Sequence, residues 1–248
     1  MDAIGVIPAR YGSTRFEGKV IKDLCGKPVI QHVYERAKKA KQLDDLIIAA
    51  DDDRILKVVE KFGGKAVFTS KSHSTGTDRL TEVVNAMDVK IVVNIQGDEP
   101  LINPIVIDDL VSAMKADPSI AMATVVKKSY SLEEFKSPDV VKAILDQKNF
   151  ALYFSRSPIP TLLKPNEKNK ESFFYKHIGI YAYNKEFLFT FKKLPPSYLE
   201  TSERLEQLRA LEAGYKIKAI ETKFETVGVD TPEDLELAKA LLEKTQNG

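Results

Sequence analysis

The first half of the chain alternates continuous apolar runs with stretches in which apolar residues recur every three or four positions. Continuous runs are typical of strands buried on both faces, and the wider spacing is typical of helices with one buried face. The predicted strands are residues 3–8, 45–50, 66–68 and 90–95. The predicted helices are residues 27–39, a helix capped by Asp52 or Asp53 and ending at Gly63, residues 78–87, and a helix from Pro104 through Met114. This alternation predicts an α/β fold with an open, mostly parallel sheet flanked by helices.

The second half has a different pattern, which predicts an elaborated, β-rich region. Residues 140–145 and 150–154 flank the turn-like sequence DQKN as in a β-hairpin, and the aromatic run at residues 173–183 predicts a long strand. Between them, the polar and proline-containing residues 160–172 predict a mobile surface loop. The remaining predicted elements are a helix through Leu205, Leu208 and Leu211 that ends at Gly214, a strand at residues 216–220, and a closing helix from Pro232 through Leu241.

Composition narrows the class of function. The 248 residues are 43% hydrophobic, and no linker-like stretch divides them, so we expect one domain over residues 1–248. The formal net charge of +1 provides no broad basic field for nucleic acid or an anionic membrane, which favours a small ligand. Cys25 is the only cysteine and no apolar run is long enough to span a membrane, so we expect a cytoplasmic protein.

A glycine-containing loop with three cations follows the first predicted strand. In PARYGSTRFEGK these cations are Arg10, Arg15 and Lys19. The loop is not a P-loop, because five residues rather than four separate Gly12 from Gly18 and no Ser or Thr follows the lysine. Loops at the carboxyl edge of a parallel sheet bind ligands, and these cations would suit phosphate groups. By itself, the sequence fits a solvated surface loop equally well.

Acidic residues follow another predicted strand and precede the closing helix. In VVNIQGDEP, Asp98 comes at the end of a strand, on the same sheet edge as the cationic loop if the strands are parallel. A carboxylate that faces phosphate groups requires a cation between itself and the phosphates. The position of Asp98 therefore predicts that Mg²⁺ is bound there. Asp230 could provide a second carboxylate, or it could simply cap the helix that starts at Pro232.

Seven motifs distributed over nearly the whole chain point to one family when they are taken together. They are PARYGSTRFEGK, GTDR at 76–79, VNIQGDEP, YFSR at 153–156, HIGIYAY at 177–183, LEQLR at 205–209 and GVDTPEDLE. In this order they resemble the bacterial CMP-Kdo synthetases, the 3-deoxy-manno-octulosonate (Kdo) cytidylyltransferases. The resemblance implies a nucleotide-diphospho-sugar transferase fold, a cytoplasmic homodimer, and Mg²⁺-dependent transfer of CMP from CTP to Kdo for lipopolysaccharide synthesis. It also implies that residues 1–120 mainly bind nucleotide and that residues 121–248 mainly bind the sugar acid and dimerise.

The resemblance further implies a role for each matching residue. The residues expected on the triphosphate are Arg10, Ser13, Arg15 and Lys19, and those expected to be catalytic are Lys19, Arg10, Arg15 and Asp98. The residues expected on cytosine and ribose are Pro8, Ala9, Thr75, Gly76 and Arg79. The expected Mg²⁺ ligands are Asp98 and Asp230. The expected sugar-acid pocket consists of Gln96, Arg156, His177, Tyr181, Glu206 and Gln207.

The chain departs from the family pattern at one place. The family usually has Leu-Pro-Gly-Lys-Pro where this chain has Phe16, Glu17, Gly18, Lys19 and Val20. Without the two prolines the free loop should be less rigid, and the Glu17 carboxylate adds a negative charge near the expected triphosphate.

Several alternatives remain open at this point. The acceptor could be amino-Kdo or sialic acid, and the enzyme could instead be a sugar-1-phosphate nucleotidyltransferase. A nucleotide sensor without catalytic activity would also retain the pocket. From the residue pattern alone, His177 and Tyr181 could be structural residues of a strand, and Glu206 and Gln207 could belong to a solvated helix face.

Overall fold

The computed structural model describes residues 1–12, 16–73, 75–161 and 173–246. The chain folds into two compact units, Met1–Ser112 with Glu225–Gly248, and Ala113–Phe224. Ser13, Arg15 and most of the predicted mobile loop lie outside the described residues. It stays a prediction that residues 1–248 function as one domain. The same holds for the expectation that residues 1–120 mainly bind nucleotide and that residues 121–248 mainly bind the sugar acid and dimerise.

The elements follow the chain in this order. The strands are β1 (Ala3–Ala9), β2 (Asp23–Leu24), β3 (Lys27–Pro28), β4 (Asp45–Ala50), β5 (Ala66–Phe68), β6 (Ile91–Asn94), β7 (Met122–Ser129), β8 (Lys142–Leu145), β9 (Ala151–Ser155), β10 (Phe174–Asn184) and β11 (Ile217–Glu221). The helices are α1 (Val29–Ala37), α2 (Asp53–Lys61), α3 (Gly76–Val84), α4 (Pro104–Ala116), α5 (Leu132–Lys136), α6 (Lys185–Lys193), α7 (Tyr198–Glu203), α8 (Leu208–Glu212) and α9 (Pro232–Gln246), with a short 3₁₀ helix at Lys19–Ile21. Among the described residues, none of these helices has both the length and the apolar character needed to cross a membrane.

The first unit contains the predicted parallel sheet. Its strands lie in the order β6-β1-β4-β5, and each pairs in parallel with its neighbour. β1 and β4 are buried almost throughout, because helices α1, α2 and α3 pack against them. This burial accounts for the continuous apolar runs in the sequence. As a result, the carboxyl ends of β1 and β6 lie side by side at one sheet edge.

Local capping fixes where the helices of the first unit begin. The Asp52 carboxylate accepts a hydrogen bond from the Arg54 amide at the start of α2, as the sequence predicts. At α3, the Thr75 hydroxyl accepts from the Asp78 amide while the Asp78 side chain accepts from the Thr75 amide. This reciprocal cap starts α3 at Gly76, two residues before the predicted start, and the helix ends at Val84 rather than at residue 87.

The second unit contains a mixed sheet in the strand order β11-β7-β10-β8-β9. β11 runs parallel to β7, and the other neighbours are antiparallel. The predicted hairpin is confirmed as β8 and β9, and Asn149 adopts a left-handed conformation in its turn with φ of 59°. The predicted aromatic strand is β10. β7 was not predicted from the sequence, although this strand pairs with both β10 and β11.

The predicted helix through Leu205, Leu208 and Leu211 is shorter in the structure: α8 contains Leu208 and Leu211 and ends before Gly214, but the inclusion of Leu205 is wrong. Leu205 lies between α7 and α8, because Arg204 adopts a left-handed conformation with φ of 54° and ends α7. The Leu205 amide then donates to the carbonyl of Glu200 at 3.2 Å, which closes the helix end. Leu205 and Leu208 are buried nevertheless, so the apolar spacing indicated burial correctly and helix continuity incorrectly.

An apolar cluster fastens the C-terminal helix α9 within the first unit. Val229, Ala238 and Leu242 pack with Leu24 and Val29, and all five side chains are buried. Leu24 and Val29 belong to the segment that follows the cationic loop, whereas Val229 precedes α9. The cluster therefore joins the end of the chain to its beginning.

We expect Leu242→Ala to lower the free energy of unfolding by about 2–5 kcal/mol, because it removes methyl groups from this closed cluster. Leu237→Ala is the matched control on the same helix, since the side chain of Leu237 is 53% exposed. Its effect should stay within about 0.5 kcal/mol. Urea unfolding of the two variants provides the comparison, and equal losses would contradict the assignment of Leu242 to the core.

Candidate active site

The carboxyl ends of β1 and β6 open into a cavity of about 430 Å³. The two strands are parallel neighbours, so the segments that follow them leave the sheet at the same edge. The cavity is lined by Pro8, Arg10, Gly12, Lys19, Val20, Gly76, Gln96, Gly97, Asp98 and Asp230. Residues that the sequence analysis predicted from separate motifs therefore meet in one place within the first unit.

The ammonium group of Lys19 lies between two carboxylates in this cavity. Its Nζ donates a hydrogen bond to the Asp98 carboxylate and another, at 2.6 Å, to Oδ1 of Asp230. Burial alone would lower the pKa of Lys19, but the charges of Asp98 and Asp230 and the hydrogen bonds to them raise it above its ordinary value. Lys19 is therefore positively charged at neutral pH.

Backbone geometry brings the two carboxylates together. A Cβ at Gly97 would lie 2.8 Å from the carbonyl oxygen of Pro8, so only glycine permits this close approach of the chain just before Asp98. The Val229 amide donates to the carbonyl of Asp98 at 2.8 Å. This hydrogen bond places the next residue, Asp230, beside Asp98.

A tight turn positions Lys19 itself. Gly18 has a φ of 65°, which is a left-handed conformation, and its carbonyl accepts from the Ile21 amide at 2.9 Å. The 3₁₀ helix therefore starts at Lys19. The Gly18 amide in turn donates to the carbonyl of Tyr11 at 2.9 Å, so the turn is closed at its base.

The two acidic residues fit a hard divalent cation. Mg²⁺ is usually held by one or two carboxylates, with phosphate oxygens and water completing its coordination. Asp98 and Asp230 already converge on a single ammonium nitrogen, so their oxygens face one position that favours positive charge. Within the described residues, no three or more His, Cys, Asp and Glu side chains are grouped to hold a metal. This donor set suits a cation that shares phosphate ligands rather than one enclosed by side chains.

The residues expected on cytosine and ribose include several with structural contacts. Ala9 is fully buried in β1, and the Thr75 hydroxyl is occupied in capping α3. Arg79 is also fully buried, and its guanidinium donates to Oδ2 of Asp51 at 3.2 Å and to the Thr69 hydroxyl at 2.6 Å. These contacts direct Arg79 toward protein atoms. Its expected contact with nucleotide stays a prediction, as do the expected roles of Ser13 and Arg15.

Glu99 is a buried acid to which the sequence analysis gave no role. Burial and, to a smaller extent, the neighbouring charge of Asp98 raise the pKa of Glu99 to about 8, so its carboxyl group is mostly protonated at pH 7. The signal was present in the sequence, because two consecutive acids at the end of a buried strand rarely both stay charged.

His177 lies on β10 in the second unit, where it is neutral. Its Nε2 lies 2.9 Å from the hydroxyl of Thr124, and that hydroxyl donates to the carbonyl of Ile180 at 2.9 Å. The hydroxyl has only one proton, so Nε2 of His177 must carry the ring proton and donate it to Thr124. Burial lowers the pKa of His177 to about 3, which keeps the ring uncharged. The Tyr181 ring lies 5.6 Å from the His177 ring, measured between centroids.

Arg156 follows β9 in the second unit and is held in a defined position. Its Nε donates to the carbonyl of Glu203 at 2.9 Å, and one terminal nitrogen donates to the carbonyl of Pro138 at 3.0 Å. The Arg156 amide donates to the Glu203 carboxylate at 2.9 Å. The fully buried Lys142 adds a hydrogen bond to the Arg156 carbonyl at 2.6 Å. The guanidinium of Arg156 is therefore oriented by several contacts.

Glu206 and Gln207 lie at the start of α8, also in the second unit. Gln207 is 3% exposed, and within the described residues its side-chain nitrogen has no hydrogen-bond acceptor. Glu206 lies near Arg209, whose guanidinium forms an ion pair with Glu200. A buried amide group that is not satisfied by the protein is compatible with a polar ligand. Gln96 belongs to the first unit, where it lines the cavity.

Comparison with known sequences identifies the family. A family model described as cytidylyltransferase matches residues 4–220. A protein of Geotalea daltonii named 3-deoxy-manno-octulosonate cytidylyltransferase is 51% identical over an alignment of 243 positions, which covers 95% of this chain and 96% of that protein. A protein of the same name from Thermodesulfovibrio yellowstonii is 50% identical over an alignment of 254 positions, which covers 98% of each chain.

Solved structures agree with the sequence relatives and confirm the predicted fold class. A structure of CMP:2-keto-3-deoxy-manno-octonic acid synthetase complexed with CTP has a TM-score of 0.91 and 43% identity, and the match covers 99% of this chain and 100% of that chain. A structure of 4-diphosphocytidyl-2C-methyl-D-erythritol synthase from Anaerococcus prevotii shares the fold at 17% identity and a TM-score of 0.62, over 98% of each chain. The chain therefore belongs to the 3-deoxy-manno-octulosonate cytidylyltransferase family.

Proposed function

We propose that this protein is a nucleotidyltransferase that transfers CMP from CTP to the anomeric hydroxyl of Kdo, giving CMP-Kdo and pyrophosphate. The observation that carries the proposal is the meeting of Lys19, Asp98 and Asp230 in one cavity at the carboxyl edge of the parallel sheet. This arrangement suits a triphosphate, and it occurs in a chain about half identical to proteins named for this activity. The charge arrangement of the cavity favours an enzyme over a nucleotide sensor, since binding alone does not require it.

The chemistry follows from the charges of the cavity. The anomeric oxygen of Kdo forms a bond to the α-phosphorus of CTP, the bond from that phosphorus to the bridging oxygen breaks, and pyrophosphate leaves while the hydroxyl proton passes to water. The Lys19 ammonium and the Arg10 guanidinium stabilise negative charge on the phosphates. Asp98 and Asp230 hold Mg²⁺, which supplies further charge neutralisation when bound. Binding both substrates in line provides much of the remaining rate enhancement.

The sugar acid requires a different set of groups. We propose that the Arg156 guanidinium binds the Kdo carboxylate and that His177, Tyr181, Glu206, Gln207 and Gln96 contact its hydroxyl groups. The neutral His177 ring suits this role, because Nδ1 can accept a hydrogen bond while Nε2 donates to Thr124. We also propose that the enzyme is a cytoplasmic homodimer and that its product serves lipopolysaccharide synthesis, as the family resemblance implies.

The proposed reaction is tested by measuring pyrophosphate release with four nucleoside triphosphates, each combined with Kdo, amino-Kdo or sialic acid. We expect CTP with Kdo to exceed the other nucleotides and sialic acid by at least about 100-fold, because a pocket that hydrogen-bonds one base or acid leaves polar groups unpaired with another. Preference for amino-Kdo would identify a sister enzyme. Turnover of a purine triphosphate with a sugar-1-phosphate, or CTP binding without turnover, would refute the proposal.

Asp98→Asn and Asp230→Asn should each reduce pyrophosphate release by at least about 100-fold at a fixed Mg²⁺ concentration, because each removes a charged ligand of the metal. Chelation of Mg²⁺ should abolish the activity of the parent enzyme. Asp109→Asn is the matched control, since Asp109 is an exposed acid on α4. If either cavity variant retained the parent rate across a Mg²⁺ titration, the assignment of that acid to the metal would be wrong.

Arg156→Lys should raise KM for Kdo by roughly tenfold or more while leaving KM for CTP within about twofold, because lysine cannot bind a carboxylate with a planar pair of donors. KM for CTP serves as the internal control for folding. Steady-state kinetics with each substrate varied in turn provides both constants. A parallel rise in both KM values would indicate a structural role for Arg156 rather than a contact with Kdo.

A further inference from the structure

The turn that presents Arg10 and Lys19 is closed on Tyr11. The Tyr11 carbonyl accepts from the Gly18 amide at 2.9 Å, and the Tyr11 amide donates to Oδ1 of Asp51 at 3.0 Å. The Tyr11 ring lies so close to Gly18 that a Cβ there would be 3.1 Å from a ring carbon. Tyr11 is thus held through its amide, its carbonyl and one part of its ring.

A guanidinium group covers the Tyr11 ring. The central carbon of the Arg54 guanidinium lies 3.3 Å from the ring centroid of Tyr11, which is a stacking distance. Two nitrogens of Arg54 donate to the two carboxylate oxygens of Asp52 at 2.7 and 2.9 Å, so the plane of the guanidinium is fixed. Asp52 also caps α2, which anchors the pair to a helix end.

The second anchor of Tyr11 is Asp51, which is paired with a buried charge. Oδ1 of Asp51 accepts from the Tyr11 amide, and Oδ2 accepts from the fully buried Arg79 at 3.2 Å. The position of Asp51 is therefore set by a charge inside the protein. Tyr11 lies between this fixed carboxylate and the Arg54 guanidinium.

Arg54 also interacts with Glu17, one of the residues that depart from the family pattern. The pKa of Arg54 lies above its ordinary value chiefly because of the hydrogen bond to Asp52, with smaller contributions from nearby charges that include Glu17. The Glu17 carboxylate that departs from the family pattern thus lies close enough to Arg54 for the two charges to interact.

We propose that Arg54 is a positioning residue for nucleotide binding: stacked on Tyr11, it holds the turn closed at Gly18, so that Arg10 and Lys19 are already arranged for the triphosphate. The proposal rests on the proposed function for the identity of the ligand. Holding a binding loop in its bound conformation raises affinity by reducing the ordering that binding requires. In this proposal Arg54 acts on the binding of CTP and makes no contact with the reacting atoms.

The test combines two variants of Arg54 with a charge-matched control. Arg54→Lys keeps the charge and loses the planar stacking, whereas Arg54→Ala loses both. Lys57→Ala removes an exposed cation from the same helix. The dissociation constant of CTP is measured by calorimetry with Mg²⁺ and without Kdo, and hydrogen exchange of the Gly18 amide is measured without nucleotide. Arg54 has a 56% exposed side chain, and thermal unfolding checks that each variant folds.

We expect both Arg54 variants to weaken CTP binding by roughly 3- to 10-fold and to accelerate exchange of the Gly18 amide, with kcat at saturating CTP within about twofold of the parent. Lys57→Ala should change neither measurement. Combining Tyr11→Leu with Arg54→Ala should weaken binding no more than Tyr11→Leu alone, because the two side chains act as one unit.

Opposite results would overturn the proposal. If Arg54→Lys bound CTP like the parent while Arg54→Ala did not, Arg54 would act only through its charge. Unchanged exchange of the Gly18 amide in both variants would show that the stacking does not hold the turn. If the parent protein itself failed to bind CTP, the proposed function would fall, and the exchange measurement would still decide whether Arg54 closes the turn.

Discussion

Two carboxylates held against a single ammonium group are the interaction on which the rest of this structure depends. Asp98 and Asp230 would repel each other at this separation without a cation, and Lys19 provides one. A triphosphate that enters the cavity adds several negative charges, so it can be accommodated only with more positive charge. The cationic turn and the Mg²⁺ ion proposed above would supply that charge. The need to balance charge thus links the identity of these residues to the class of ligand.

The fold meets this need by joining distant parts of the chain at one sheet edge. Parallel pairing of β1 with β6 places the turn of Lys19 next to Asp98. The third group arrives from the C-terminal end of the chain, where Val229 is hydrogen-bonded to Asp98 and packed against Leu24. The apolar cluster beneath α9 therefore has a functional consequence, since it holds Asp230 beside the other acid. The parallel sheet and the terminal helix are both necessary for the site.

Sequence patterns predicted the first unit well and the second unit less well, for a physical reason. Strands buried on both faces leave continuous apolar runs, and β1, β4 and β6 were predicted from them; the short strand β5 was also predicted, although it is largely exposed. In the second unit, Leu205 is buried in the turn between α7 and α8, and Leu208 is buried in α8, so apolar spacing alone could not reveal where the helix starts. The break between α7 and α8 depends on the left-handed conformation of Arg204, a residue type that does not signal it. β7 was missed although it is largely buried.

In the candidate site, the sequence predicted which residues meet better than it predicted the hydrogen-bond partners of each side chain. The meeting of Lys19 with Asp98 could be predicted because the direction of parallel strands determines it, whereas Asp230 was expected beside them only because of the family resemblance. The partners of Arg79 could not, because its burial and its ion pair with Asp51 arise only when β4, α3 and the Tyr11 turn come together. A basic residue within a nucleotide motif can therefore support the binding turn through a shared carboxylate rather than reach the ligand. Residues that touch a ligand and residues that hold those in place have similar sequence signatures, and only the hydrogen-bond partners distinguish them.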